Sequence, residues 1–176
     1  MNMLEIKNLT KKYKNGKVAV DNLSITVESG DIFGFIGHNG AGKSTTIKSA
    51  VGILGFDSGD IFIDGHSIKT EPLACKKELA YIPDNPDIYE HMTGIQYLNF
   101  IGDVFGVDSA TRTAKIKDYA DRFEITANLG DLTANYSHGM KQKLVLISAL
   151  MHSPKLLVMD EPFVGLDPKA SFQVKS

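Results

Sequence analysis

Gly37-His38-Asn39-Gly40-Ala41-Gly42-Lys43-Ser44-Thr45 is the stretch around which the rest of the chain is read. It has the form G-x-x-x-x-G-K-S. Before it runs Ile32-Phe33-Gly34-Phe35-Ile36, short and apolar, which predicts a strand. After it Ile47, Ala50, Val51 and Leu54 recur at i, i+3, i+4 and i+7, the spacing of one helix face. The four fixed positions arise by chance in roughly one chain in a few hundred of this size. Strand, glycine loop and helix in that order make chance a poorer explanation still.

The residue types suit a triphosphate. Phosphate oxygens need backbone N–H groups aimed at them from close range. Gly37, Gly40 and Gly42 carry no Cβ, so the backbone can bend through positive φ and approach a ligand. The following helix turns its first N–H groups and its positive dipole end toward the same place. Lys43 can reach β- and γ-phosphates as a point charge, and the Ser44 hydroxyl suits Mg²⁺. The alternative is a glycine-rich turn with an exposed lysine.

The chain has 176 residues, enough for one domain with a sizeable core. Its formal net charge is −2, so no global positive field draws nucleic acid or anionic lipid, and any grip on a nucleotide is local. The single Cys75 excludes an intrachain disulfide and fits a reducing compartment. The longest apolar run, Leu144 to Met151, is too short to span a bilayer, and the N-terminus lacks the form of a secretory signal. These features predict a soluble protein that meets a membrane only through a partner.

The first third reads as strand-rich. Leu4, Ile6 and Leu9 mark an opening segment, Asn15-Gly16 a hairpin turn, and Val18 to Val27 an alternating strand. Ile61-Phe62-Ile63 is a further strand stopped by Asp64-Gly65. Leu79-Ala80-Tyr81-Ile82 is a buried strand, and Pro83 to Asp87 a hinge by composition. Beyond it the spacing turns helical: Ile95, Leu98, Ile101 and Phe105, then Ile116, Tyr119, Ala120 and Phe123. Residues 88–152 are therefore expected to form a helical subdomain, set into a core made of 1–87 and 153–176. Its third helix, Met140 to His152, is apolar on nearly every side and should be deeply packed.

Two more clusters carry chemistry. Leu156-Leu157-Val158-Met159 runs into Asp160-Glu161-Pro162. An apolar strand of this kind suits a parallel sheet covered on both faces, and its C-terminal end is where open α/β sheets bind ligands. One carboxylate can hold Mg²⁺ with Ser44 while the other polarises a water. A polar strand exit is the simpler alternative. Ser137 reads as the N-cap of the third helix, and a helix start lined by small residues is also an anion site.

Taken in order, the glycine loop, Tyr136-Ser137-His138-Gly139-Met140-Lys141-Gln142 and Leu156 to Pro162 resemble the nucleotide-binding domain of an ABC transporter. The resemblance covers nearly the whole chain and looks most like bacterial export-type ATPase subunits. It implies an α/β, P-loop NTPase core with a mostly parallel central sheet, an N-terminal antiparallel β subdomain and an inserted α-helical subdomain. It implies an ATPase using ATP and Mg²⁺ in a head-to-tail homo- or heterodimer. That dimer would drive transport through separate integral membrane permease subunits, on the cytoplasmic face of the cell membrane, with no nucleic acid partner.

By the same resemblance, Gly37, His38, Asn39, Gly40, Ala41, Gly42, Lys43, Ser44 and Thr45 match the phosphate loop, and Tyr13 the aromatic that stacks on adenine. Asp160 matches the metal-holding carboxylate and Glu161 the catalytic base. Ser137 and Gly139 match the signature that meets the opposite subunit's γ-phosphate, and Asp167 the loop across the dimer interface. Asp84 stands where the family usually has a Gln touching Mg²⁺ and the attacking water. His38, His66, His91, His138 and His152 all precede Asp167, so none matches the family's switch His. The resemblance thus implies a domain without its last strands and switch-His region. Two other readings of the chain are a soluble non-transport ABC ATPase and a truncated nucleotide binder with little turnover.

Overall fold

A computed structural model describes residues 1–85 and 88–160. Glu161, Asp167 and part of the 83–87 hinge lie outside those residues. The chain divides into two compact units. The first is Met1–Tyr81 with Lys155–Val158, and the second, among the described residues, is Ile82–Pro154 with Met159 and Asp160.

In the first unit, β1 (Asn2–Lys12) and β2 (Val18–Glu28) form an antiparallel hairpin. Its turn is where Asn15-Gly16 puts it: Tyr13 N–H donates to the Lys17 carbonyl and Gly16 N–H to the Tyr13 carbonyl, with Gly16 at φ 83°. β2 matches the alternating pattern of Val18 to Val27, whereas β1 is longer than its pattern indicates because bulges break the alternation. Asn8 and Asn22 both take φ 50°, and the Asn8 side chain donates to the Asn22 amide oxygen at 2.9 Å. The bulge lies against β3 (Ser58–Ile63) at Gly59, where any Cβ would come within 2.5 Å of the Lys7 and Asn8 carbonyl oxygens.

β3 pairs antiparallel with β1, and the positive-φ pair Asp64-Gly65 turns the chain into the two-residue β4 (His66–Ser67). The sheet order is β2-β1-β3-β4. One face buries Ile6, Leu9, Val20 and Ile61 against Ala50 of α1 (Lys43–Ala50), which fixes the helix that follows the glycine loop onto the sheet.

α2 (Pro72–Glu78), with proline in its first turn, follows; no helix was expected there. β5 (Leu79–Ile82) and β6 (Leu156–Met159) form a separate two-stranded sheet. Lys155 N–H donates to the Glu78 carbonyl and Asp160 N–H to the Ile82 carbonyl, so register advances in the same direction on both strands and they run parallel. Leu156 and Val158 pack on a core of Val51, Ile63, Cys75 and Leu79.

The expected strand Ile32–Ile36 is not one. Residues 31–38 have no strand geometry, and Ile32 and Ile36 are each 93% exposed. An extended apolar segment becomes a strand only when a neighbour takes its N–H and C=O groups, and no strand pairs with it among the described residues. The helix after the loop also ends earlier than expected, at Ala50, with Gly52 at φ 75°.

The second unit holds α3 (Gly94–Val104), α4 (Ser109–Arg122) and α5 (His138–Leu150), with short 3₁₀ turns at Thr126–Asn128 and Thr133–Asn135. Each long helix has a side-chain N-cap: Thr93 in a capping box with Gln96, Asp108 and Ser137. α3 packs on both α4 and α5, with Leu98, Leu144 and Ile147 fully buried. Gly102 leaves room for Arg112, whose guanidinium crosses to Asp103 and the Val107 carbonyl. Lys115 bonds the Met151 carbonyl at the C-terminal end of α5.

Candidate functional site

The glycine loop runs into α1 at Lys43. Gly40 and Gly42 take φ 84° and 85°, the left-handed region that an L side chain rarely adopts. Gly42 is also the closest approach of the loop to the sheet: a Cβ there would lie 2.2 Å from the Ala19 carbonyl oxygen of β2. So one glycine both reverses the chain and seats the loop.

α1 begins without a side-chain cap. Thr46 uses its backbone N–H and its hydroxyl on the Gly42 carbonyl, at 2.8 and 2.9 Å. The Lys43 ammonium folds back along the loop and donates to the carbonyls of Gly37 (2.6 Å) and His38 (3.0 Å). His38 Nδ1 lies 2.9 Å from the Asn39 carbonyl, and Ala41 N–H closes a turn onto His38. The result is a closed ring of backbone from Gly37 to Gly42, with a lysine cation laid across it and a helix start beneath it. A glycine-rich turn, a lysine cation held on it and a helix N-terminus without a side-chain cap are the components from which an anion site can be built.

Tyr13, just past β1, reaches the first turn of α1. Its hydroxyl lies 3.1 Å from the Thr45 hydroxyl, its ring is 41% exposed, and Lys11 lies 5.8 Å from the ring centroid. An exposed aromatic face beside a phosphate-type loop offers a flat surface for a base. Its tie to Thr45 had no signal in the sequence, because 31 residues separate them in the chain.

In the second unit, Ser137 caps α5: its hydroxyl accepts from Met140 N–H at 3.3 Å. Gly139 lies half-buried in the first turn. Tyr136 donates its phenol to the Asn128 carbonyl at 2.6 Å, and burial pushes that phenol's pKa up. Gly94 makes this possible, since a Cβ there would meet the Tyr136 hydroxyl at 2.2 Å. Asp84 is exposed, and its backbone carbonyl accepts from the amide of Gln142, a side chain only 1% exposed. Gln142 escaped sequence reasoning, because between Lys141 and Lys143 a carboxamide reads as part of a polar helix start. Asp160 is 7% exposed where β6 ends.

The loop and Tyr13 fall in the first unit; Asp84, Ser137, Gly139 and Asp160 fall in the second. Cys75 is buried and unbridged, and burial raises its thiol pKa, which disfavours the reactive thiolate. No described helix is long and apolar enough to cross a membrane.

Residues 20–164 match the family model described as ABC transporter. The chain belongs to the ABC transporter family. It is 38% identical over 98% of its length to the ABC transporter ATP-binding protein YhcH of Bacillus subtilis (strain 168), and spans 55% of that protein. It is 35% identical over 97% of its length to the ABC-type transporter ATP-binding protein EcsA of the same organism, spanning 68% of it. The solved structure of an ATP binding subunit of an ABC transporter superposes with a TM-score of 0.90 at 34% identity, covering 97% of this chain and 70% of that one. This ABC family chain therefore spans a little over half to about two thirds of these relatives. Its α/β fold, with an antiparallel β subdomain, a parallel pair and helices, is that of the family's ATPase domains.

Proposed function

We propose that this chain is the nucleotide-binding part of an ABC transporter, binding MgATP at residues 37–45 and hydrolysing it to drive transport through membrane subunits. The observation that carries this is the ring of Gly37 to Gly42, closed at Gly42 against β2 and spanned by Lys43. The names of the relatives, both ATP-binding proteins of ABC transporters, support the same nucleotide.

In this reading Gly37, Asn39, Gly40, Ala41 and Gly42 offer backbone N–H groups to the phosphates, with His38 at the outer rim. Lys43 exchanges loop carbonyls for phosphate oxygens. Tyr13 supports the adenine, and Thr45 holds Tyr13. Ser44, Asp160 and Asp84 are hard oxygen donors of the kind magnesium takes, and Asp160 is the carboxylate sheltered from water. Bound Mg²⁺ would neutralise charge on the phosphates. Glu161 is the base that orients and deprotonates the attacking water. Ser137, Gly139 and Asp167 serve the ATP of a second ATPase domain in a head-to-tail dimer. The membrane subunits place the complex on the cytoplasmic side.

Lys43→Ala tests the reading. A charge-assisted hydrogen bond is worth about 1.5–3 kcal/mol, so losing the ammonium should weaken ATP binding roughly 10- to 150-fold. Calorimetric titration with MgATP reads this directly, and ATP hydrolysis should disappear with it. Undiminished binding by a folded Lys43→Ala protein would move the nucleotide elsewhere.

A further inference from the structure

We propose that Gln142 is a positioning residue: with Lys141 it yokes the loop carrying Asp84 to the helix that starts at Ser137, so the two shift together during turnover. The inference rests on the ATPase reading above and names the part of the second unit that keeps Asp84 and Ser137 in step.

The geometry is specific. Gln142 lies five residues beyond the cap of α5, 1% exposed, and its Nε2 donates to the Asp84 carbonyl at 3.0 Å. A buried carboxamide needs that partner. The residue before it, Lys141, pairs with Glu90 at 3.0 Å. Neighbours on a helix point about 100° apart. Two bonds to one loop from such neighbours resist rotation of the helix as well as separation from it. A third tie sits just upstream of the cap. Thr133, fully buried, donates its hydroxyl to the Tyr89 carbonyl at 2.8 Å and its N–H to the Met92 carbonyl at 2.9 Å. Ile88 is buried beside these contacts in sequence.

The bond from Gln142 goes to the backbone of residue 84. It leaves the Asp84 carboxylate exposed for its own chemistry. The yoke therefore does not depend on which side chain stands at 84, and an Asp there is compatible with it.

The test is made on the intact protein. Gln142→Leu keeps the volume and removes the donor. The expected result is a kcat for ATP lowered about ten-fold or more with KM changed less than about two-fold, because nucleotide binding is intact and positioning is lost. Hydrogen exchange at 84–85 and 88–90 should quicken, while that of α1 stays as it was. Lys141→Ala and Glu90→Gln should each lower kcat by roughly two- to five-fold, and the double variant no further, since both remove one bond. A merely structural glutamine would loosen exchange throughout 82–154 and leave kcat of the folded protein unchanged.

A folded Gln142→Leu protein with unchanged kcat, or with unchanged exchange at 84–85 and 88–90, overturns the proposal. If Gln142→Leu does not fold, the exposed Glu90→Gln decides, and unchanged kcat there overturns it. Absence of ATP hydrolysis in the unsubstituted protein would instead defeat the ATPase reading, and the exchange measurement would still judge the yoke.

Discussion

At the scale of the residue, Gly42 bears the most constraint. Its φ of 85° and the 2.2 Å approach of a built Cβ to the Ala19 carbonyl are two separate objections to any side chain. Gly42→Ala should destabilise the chain by about 1–3 kcal/mol, from left-handed strain and a displaced backbone. Urea unfolding of variant and parent checks it, and equal midpoints would mean the loop does not rest on β2. Gly40, with the same φ and open space around it, should tolerate alanine better. The motif itself was plain from residue types. What could not be read was which glycine was seated against the sheet, since that depends on Ala19, 23 residues earlier. The Tyr13 pairing with Thr45 was hidden for the same reason.

Among the elements, the capped helices were the most legible, because a cap and an apolar spacing are both local. Ser137 was expected to start α5 and does so; α3 and α4 follow the 3.6-residue pattern. α2 was missed because seven residues with only Cys75 buried leave no periodicity to detect. Ile32–Ile36 misled in the opposite sense: its composition is that of a strand, and strand geometry is conferred by a partner.

Two predictions belong to this level. Gly94→Ala forces a methyl into the Tyr136 hydroxyl and should cost about 2 kcal/mol. Adding Tyr136→Phe removes the clashing oxygen, so the double variant should recover about 1 kcal/mol relative to the sum of the single changes. Strict additivity by thermal unfolding would contradict the contact. The second concerns pH. Asp108 caps α4 by accepting from Thr111 N–H at 3.0 Å, and hydrogen bonding from the Thr111 side chain, with that backbone N–H, holds its carboxyl below the usual range. A depressed folded value means the cap's contribution is full above about pH 4 and is lost as pH falls through the folded value. Asp108→Asn should therefore match the parent less well at neutral pH than at pH 2–3, the stability difference shrinking with acid. A constant difference across that range would remove the ionised cap from the account.

For the whole molecule, charge and composition excluded more than they identified. A net charge of −2 left no general field for polyanions, and the single cysteine left no disulfide scaffold. The α/β class was legible because the three motifs in order resemble a family with that fold, beside a glycine loop set before a helix and an apolar strand, Leu156 to Met159. The sequence pattern sets a helical stretch, 88–152, apart from the rest, and the compact units divide at 81/82 and 154/155; the return of 155–158 to the first unit depends on long-range packing, Leu156 and Val158 on Val51, Ile63 and Cys75.

The measurement that bears most directly on this account is ATP binding and steady-state hydrolysis by Glu161→Gln beside the parent protein. A general base contributes about 10²- to 10⁴-fold. The account predicts turnover reduced by at least the lower figure, with MgATP affinity unchanged within a factor of about two, because the amide keeps the shape and leaves the loop at 37–45 intact. Turnover equal to that of the parent would contradict it.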